Sequence, residues 1–459
     1  MPIPTVAVVG GGVAGLAAAW ELMQHNDIHI VVLESASVVG GKLRSAEVAG
    51  QVVDVGAESM LARRLEGTGL AAELGLSAAL THPTSAPAAV WSRGRRWPLP
   101  SGTVMGVPTD PSGAAGVLTP DEVDRAAAER VGPPAVEDVS VGQFVADRVG
   151  PAVVDRLVEP LLAGVYAGHA HRLSLEATVP ALWAAATAGL AVVGSPSGGD
   201  HRRPVFAGYR GGLGRLATDT AQALVARGVE IRTRATVRAL TRRPEGWRLT
   251  VGPTISAEHV DAHGLVLALP ATPTARLLRP LSPAAARLLD EIEYASVAIV
   301  TLALPRAAAS RLDGSGFLVP PVEPLAIKAA TFSSTKWDWL DHAARDVVFL
   351  RTSLGRAGEV AVLQQDDDDL VETAVADLRT VLGPDLPEPA DVHLQRWGGA
   401  LPQYAVGHID RITRVLDAVD TIPGLGLAGA AYEGVGIPAC IASGRRAARE
   451  VVASLRQRQ

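Results

Sequence analysis

The chain has a single cysteine, Cys440, so it forms no internal disulfide and no multi-cysteine metal site, which suits a reducing compartment. Aromatic residues are scarce at 4%, leaving Ala, Val, Leu and Gly to build the interior, and this favours helices and close backbone packing over aromatic-lined grooves. Uninterrupted apolar runs of the roughly 18 residues needed to span a membrane are missing. The nearest, 178–194, contains Pro180 and two threonines. It reads as a buried helix, with an interfacial helix resting on a membrane as the alternative. A basic excess is missing too: the net charge of -6 argues against a nucleic-acid partner, because phosphate binding needs clustered Lys and Arg. Met-Pro-Ile-Pro runs straight into an apolar segment without the charged region of a signal peptide, so the expectation is a cytoplasmic protein that starts here.

What is present is organised around residues 5–34. The β-branched run Val6, Val8, Val9 stops at Gly10, and Gly10, Gly12 and Gly15 then give the G-x-G-x-x-G spacing before an alanine-rich segment. That pattern predicts strand, tight turn and helix. Gly10 permits the turn, Gly12 lets backbone approach a pyrophosphate, and Gly15 lets the helix lie close on the strand. The N–H groups of Val13 and Ala14 then face the anion. A second strand, 28–33, ends at Glu34, 19 residues after Gly15, where a carboxylate can accept the hydroxyls of a ribose.

Directly after this acid and Ser35 comes Gly40-Gly41-Lys42-Leu43-Arg44-Ser45, which reads as a second phosphate-contacting turn. Its backbone N–H groups do most of the binding, and Lys42 and Arg44 each offer a charge for a phosphate. The segment 52–56 alternates like a strand and delivers Gly56-Ala57-Glu58-Ser59 into a loop. Residues 88–99 read as a hairpin turning at Arg93-Gly94. The following loop carries Met105, without helical or strand period. Residues 121–192 read as mostly helix with Ser140 as an N-cap, and 195–204 as a flexible loop. Strands and a helix resume from Phe206, through a strand at Val237–Leu240 and a buried strand at 264–269. The pattern is mixed from 273 to 423, where the run Asp366–Asp369 reads as the charged start of a helix. Finally, a short buried strand ends at Gly429, a glycine loop through Val435, Gly436 and Ile437 follows, and Pro438 opens a helix in whose first turn Cys440 is a small packed residue. The later strands return to the opening pattern, which implies a discontinuous nucleotide domain with other domains spliced into it.

The fingerprint Gly10–Gly15, Glu34, 40–45, Gly56–Ser59, Leu161-Leu-Ala-Gly-Val-Tyr-Ala-Gly168 with Leu173-Ser174, Trp397 with Leu401-Pro-Gln-Tyr404, and Gly429 through Cys440 together resemble an oxygen-dependent porphyrinogen oxidase, among the monoamine oxidase-like FAD proteins. The Gly-x-Glu-Ser form resembles the bacterial coproporphyrinogen III oxidase branch; relatives acting on protoporphyrinogen usually carry Arg where this chain has Glu58. The resemblance implies an α/β fold: a Rossmann-like FAD-binding domain (1–85, 205–272, 420–459), a mixed α+β substrate domain (86–108, 273–419) and an inserted helical domain (109–204). It implies FAD contacts from Gly10, Gly12, Val13, Ala14, Gly15, Glu34, Ser35, Gly41, Lys42, Arg44, Gly56, Ala57, Glu58, Ser59, Val237, Trp397, Gly429, Val435, Gly436 and Ile437. Tyr166, Gly168 and Met105 would face the substrate. Arg63, Arg64, Arg93, Arg95 and Arg96 are candidates for pairing with a substrate propionate, and the sequence does not choose among them.

The implied reaction is six-electron oxidation of coproporphyrinogen III to coproporphyrin III in heme biosynthesis, with oxygen giving hydrogen peroxide. No catalytic dyad stands out, in keeping with a cofactor that performs the hard step while the protein supplies position and polarity. Transient contact with a ferrochelatase and peripheral contact with a membrane are further implications. The alternatives are protoporphyrinogen IX oxidase, an amine oxidase of the same superfamily, for which a flavin-facing pair of aromatics is expected and only Tyr432 is offered, and a non-catalytic FAD or porphyrin carrier.

Overall fold

A computed structural model describes residues 3–25, 27–195 and 204–457; most of the loop expected at 195–204 lies outside the described residues. The opening pattern folds as read. Thr5–Val9 and His29–Leu33 pair in parallel, and the sheet extends to five strands with Glu230–Arg232 beside the second strand, Gly264–Leu267 beside the first and Leu425–Leu427 outside Gly264–Leu267. Burial on both faces explains the continuous Val and Leu runs. The first helix, Val13–Leu22, and the C-terminal helix, Ile437–Arg456, cover one face in a core containing Leu16, Leu22, Ile441 and Val451.

The other face of this sheet is covered by elements from far along the chain. Helices Ala271–Leu278, Pro283–Asp290 and His408–Asp420 supply Leu277, Leu289, Ile412 and Val415 to the same core as Val9, Leu33 and Leu267. Residues 273–290 and 408–419, from the segment expected as the substrate domain, thus bury their apolar faces against the parallel sheet. An amphipathic pattern in such helices states that one face is apolar and not which sheet it meets.

A second, seven-stranded mixed sheet has the hairpin Ala88–Ser92 and Arg95–Pro98 at one edge and Asp391–Pro402 at the other. Helix Asp367–Leu382 packs across it through Leu370, Ala374 and Leu378. Its acidic first turn is where negative charge favours a helix N-terminus.

Three departures are found in the helical segment. Residues 178–194 do not form one buried helix. Pro180 starts a helix of eight residues, Pro180–Thr187, in which Leu182 and Ala186 face inward, while Leu190 beyond it is 59% exposed. The loop at Met105 is a small hairpin, with Val107–Pro108 antiparallel to Thr103–Val104 and Met105 and Gly106 both at positive φ. Within the expected helical stretch 121–192, a π-helical turn, Val154–Val158, precedes Glu159–Tyr166. Pro160 lacks an N–H and crowds the carbonyl four residues back, so a wider turn is the natural response.

Candidate active site

The first helix begins beneath an open groove. Gly10 has φ +108°, and a Cβ on Gly15 would lie 1.9 Å from the Gly10 carbonyl oxygen, so both glycines are required by geometry. Gly12, the N-cap, makes no side-chain cap, and a Cβ there would meet nothing within 4 Å. Free N–H groups of Val13 and Ala14 over open space form an anion cradle. Gly41, at φ +57°, adjoins it through a bridge between Gly12 and Gly40. Lys42 is half-buried beside this cradle with no acid paired to it, and burial lowers its pKa. Cys440 lies close enough to act on it, so the second phosphate turn and the final helix meet here.

Glu34 stands at the end of its strand, half-buried. Oε2 accepts from the Gly11 N–H at 2.6 Å and Oε1 from the Ala36 N–H at 2.7 Å, with Ser35 Oγ at 3.3 Å. A carboxylate so anchored keeps lone pairs for two ribose hydroxyls. Val237 lies nearby, because Ala235 donates to the Glu34 carbonyl.

The 40–45 and 56–59 segments are neighbours for a backbone reason. Ala57 N–H donates to the Lys42 carbonyl at 3.0 Å and Val55 N–H to that of Arg44 at 2.9 Å, prolonging the hairpin of Ser45–Val48 and Gln51–Asp54. Trp397, on the edge strand of the large sheet, donates from Nε1 to the Val55 carbonyl at 3.0 Å. Glu58 is ion-paired. Its carboxylate pairs with Lys336 Nζ and with Arg351 Nη1 at 3.4 Å. Burial would raise its pKa, but these two cations hold it below the usual range. The side chain thus fastens the loop of Ala57 and Ser59 to the large sheet.

The remaining motifs converge from three parts of the chain. Gln403 Nε2 donates to the Tyr166 carbonyl at 2.8 Å, and the Tyr166 and Tyr404 rings lie 5.6 Å apart. Tyr404 Oη donates to the Ala430 carbonyl at 2.6 Å and accepts from the Gly434 N–H at 2.9 Å. The Val-Tyr-Ala-Gly loop, the Leu-Pro-Gln-Tyr strand end and the final glycine loop therefore form one unit. A Cβ on Gly168 would lie 2.2 Å from Gln403 Oε1, so any larger residue there displaces the Gln403 side chain. In the final loop, Gly429 N–H donates to Ser443 Oγ at 3.0 Å, Val435 packs toward the helical segment, Gly436 is the uncapped N-cap of the last helix and Ile437 is buried beneath it. The thiol of Cys440 is buried and pushed up to about 11, leaving it protonated.

Sequence reasoning missed the groups that hold the Tyr166 loop. His169 Nδ1 is 2.8 Å from Glu159 Oε1, its Nε2 is 3.0 Å from the Ala357 carbonyl oxygen, and Ala357 N–H donates to the Ala167 carbonyl at 2.7 Å. The hydrogen bond to Glu159, then its charge, raise the His169 pKa. A histidine directly after the Val-Tyr-Ala-Gly motif was the available signal. Met105 is not brought to this loop by any hydrogen bond; its hairpin packs into the core of the helical segment beside Leu157. Four of the five candidate arginines are occupied elsewhere. Arg64 pairs with Glu66, Arg93 with Glu122, Arg95 lies 4.0 Å over the Trp97 ring, and Arg96 reaches the Asp313 carbonyl, while Arg63 is exposed.

A glycine-framed nucleotide groove, a second helix N-terminus facing it and a substrate-side tyrosine loop are what a flavoprotein oxidoreductase requires. The family model for flavin containing amine oxidoreductases matches residues 13–452. The chain belongs to this family. Coproporphyrinogen III oxidase of Mycobacterium leprae (strain TN) is 38% identical to this flavoprotein over 449 residues, covering 96% of each chain. Coproporphyrinogen III oxidase of Bacillus subtilis (strain 168) is 30% identical over 472 residues, covering 98% of each. A solved structure from Exiguobacterium sp. 255-15, provisionally assigned as a protoporphyrinogen oxidase, matches with a TM-score of 0.87 and 31% identity over 100% of both chains. The anion cradle and ribose acid fit FAD, the cofactor of the flavoprotein. Among the described residues no helix is long and apolar enough to cross a membrane.

Proposed function

We propose that this flavoprotein oxidises coproporphyrinogen III to coproporphyrin III. Six electrons and six hydrogens leave the macrocycle, and three molecules of oxygen become three of hydrogen peroxide. The observation that carries the reading is the single unit made by the Tyr166 loop, Gln403-Tyr404 and the final glycine loop beside the nucleotide groove. It is supported by relatives matched over nearly their whole length that are named coproporphyrinogen III oxidases. FAD, when bound, supplies the two-electron acceptor that oxygen reoxidises.

The chain's own residues bind and orient. Val13 and Ala14 N–H groups with Lys42 neutralise the pyrophosphate, Glu34 takes the ribose, and the N-terminus of the last helix at Gly436 favours negative charge on the nearby ring. Tyr166 is 6% exposed and burial pushes its hydroxyl up to about 12, so it orients substrate as a neutral phenol and takes no proton at neutral pH. The pyrrole protons pass to solvent. The expected site residues serve as cofactor and substrate contacts in this reading, with Met105 in the same apolar cluster as Tyr166. Reaction in the cytoplasm with transient contact to a ferrochelatase, or at a membrane surface, suits a flat and sparingly soluble product.

The test is anaerobic mixing of the FAD-loaded protein with coproporphyrinogen III, read by bleaching of the flavin band. Bleaching with stoichiometric porphyrin formation is expected, and an unreduced flavin would sink the proposal. The provisional assignment of the Exiguobacterium structure favours protoporphyrinogen as the second reading; faster initial rates on protoporphyrinogen would choose it.

A further inference from the structure

Behind the Tyr166 loop lies a charge imbalance that protein groups do not resolve. Lys328, on strand Ile327–Thr331, and Arg356, in the loop after strand Val347–Leu354, are each 5% exposed. Lys328 Nζ donates to one backbone acceptor, the Gly355 carbonyl, at 2.7 Å. Arg356 Nη2 donates to the Val319 carbonyl at 3.0 Å, while its buried Nε has no partner. The one carboxylate in the group is Glu359, at 3.5 Å from Arg356 Nη1 and itself 39% exposed. Two buried cations thus share one partly solvated anion.

The contrast with the other buried charges is informative. Around Glu58, Lys336 and Arg351 are matched by Glu58 and by Asp54, which lies close enough to Arg351 to interact with it. That cluster is balanced and needs nothing more. An unmatched buried cation costs free energy unless an anion completes it. Burial, followed by the neighbouring Arg356, brings Lys328 down to about 7, so the amine gives up its charge readily for want of a partner.

The position of the pair names the anion. Ala357, the next residue after Arg356, is hydrogen-bonded through its N–H to Ala167 and through its carbonyl to His169, so the cations are fastened to the loop that carries Tyr166 and Gly168. Ala167 and Ala357 also share an apolar cluster with Trp397 and Leu401. A substrate over this loop that is an apolar macrocycle with carboxylates on two-methylene arms would meet partly buried Trp397 and Leu401 with its ring and the buried cations with an arm.

We propose that Lys328 and Arg356 form the receptor for a propionate carboxylate of the porphyrinogen. This rests on the porphyrinogen reading above. Arg356 offers the planar donor edge and Lys328 the point charge, and the incoming carboxylate restores full protonation of Lys328. The residues anticipated for this task, Arg64, Arg93, Arg95 and Arg96, are held by other protein groups.

The experiment uses FAD-loaded wild type, Lys328→Met, Arg356→Gln and Lys328→Arg, titrated with coproporphyrin III and with its tetramethyl ester in detergent and read by porphyrin fluorescence. Each loss of a charge-assisted hydrogen bond is expected to raise Kd for the acid, and KM for the porphyrinogen, by roughly tenfold to a hundredfold. Ester binding and FAD content stay at wild-type values, and Lys328→Arg restores most of the affinity. The thermal midpoint of Lys328→Met is expected to equal or exceed that of wild type, because Met removes a buried charge at similar volume; a structural lysine would show a fall. Wild-type affinity for the acid in both Lys328→Met and Arg356→Gln overturns the subsite, as does a fall in kcat with Kd unchanged. Wild type that neither binds coproporphyrin III nor is reduced by the porphyrinogen overturns the functional reading itself, and the subsite with it.

Discussion

At Gly168 a single missing methyl carries the link between packing and substrate position. A Cβ would lie 2.2 Å from Gln403 Oε1, and Gln403 could no longer keep its bond to the Tyr166 carbonyl. Gly168→Ala is therefore expected to lower kcat/KM by about tenfold, equivalent to one hydrogen bond's worth of positioning, with flavin content unchanged in the absorbance spectrum. Gly15 is the opposite case, since its Cβ would meet backbone rather than a side chain that can swing away. Gly15→Val is expected to purify without FAD and to lose about 3 kcal/mol of stability, read by denaturant unfolding. For Tyr166 the prediction is narrower: with a pKa of about 12 the hydroxyl is no base, so Tyr166→Phe should alter KM more than the pH dependence of kcat. A shifted acidic or basic limb in that variant would show that the phenol titrates in turnover.

Among the elements, helix His408–Asp420 begins at a fully buried imidazole stacked 3.8 Å from the Tyr404 ring. Burial, then Arg411, lower the His408 pKa to about 4. The unfolded chain binds this proton at about 6.5, so between pH 6.5 and 4 the unfolded state holds more protons and stability falls as the pH falls. The penalty grows by about 1.4 kcal/mol per pH unit over that window, and His408→Phe should flatten the drop in thermal midpoint there. His169 has the opposite sign: its folded pKa is raised by Glu159, so its contribution is complete below about pH 6.5 and fades as the pH rises through the raised value. The π-helical stretch before Glu159 was hidden from a reading by periodicity, which assumes a regular turn. Pro160 was the signal for it, because proline inside an apolar helical run forces an accommodation.

Across the whole molecule, the nucleotide part and the large sheet are joined by a small apolar cluster, Val48 and Val53 with Ala303, Trp337 and Phe349, and by buried polar contacts beside it. Arg351 donates to the Asp54 and Gly56 carbonyls at 3.2 and 2.7 Å and pairs with Glu58, whose second partner is Lys336. Arg351→Met strands Glu58 with one cation and is expected to cost about 3 kcal/mol, in line with breaking a buried pair from one side. The check is the denaturation midpoint together with FAD retention, and an unchanged midpoint would show that Lys336 alone satisfies the carboxylate. This fastening also gives Glu58, within the motif Gly56–Ser59, a structural role that the motif does not announce. The sequence places Glu58 in a cofactor loop, but its partners lie nearly 300 residues away, and only folding reveals that they claim the side chain.

The sequence by itself determined the nucleotide groove, because strand, glycine turn, helix and acid are local features whose geometry follows from nearby backbone. It also determined the family, through motifs whose spacing survives at a distance. Tertiary structure alone decided which helices cover which face of the parallel sheet, since amphipathic patterns state that a face is apolar and not what it meets. It alone decided the charge partners as well: Lys328 and Arg356 carry no motif, and their excess charge is visible only once burial has removed water and the surrounding acids can be counted.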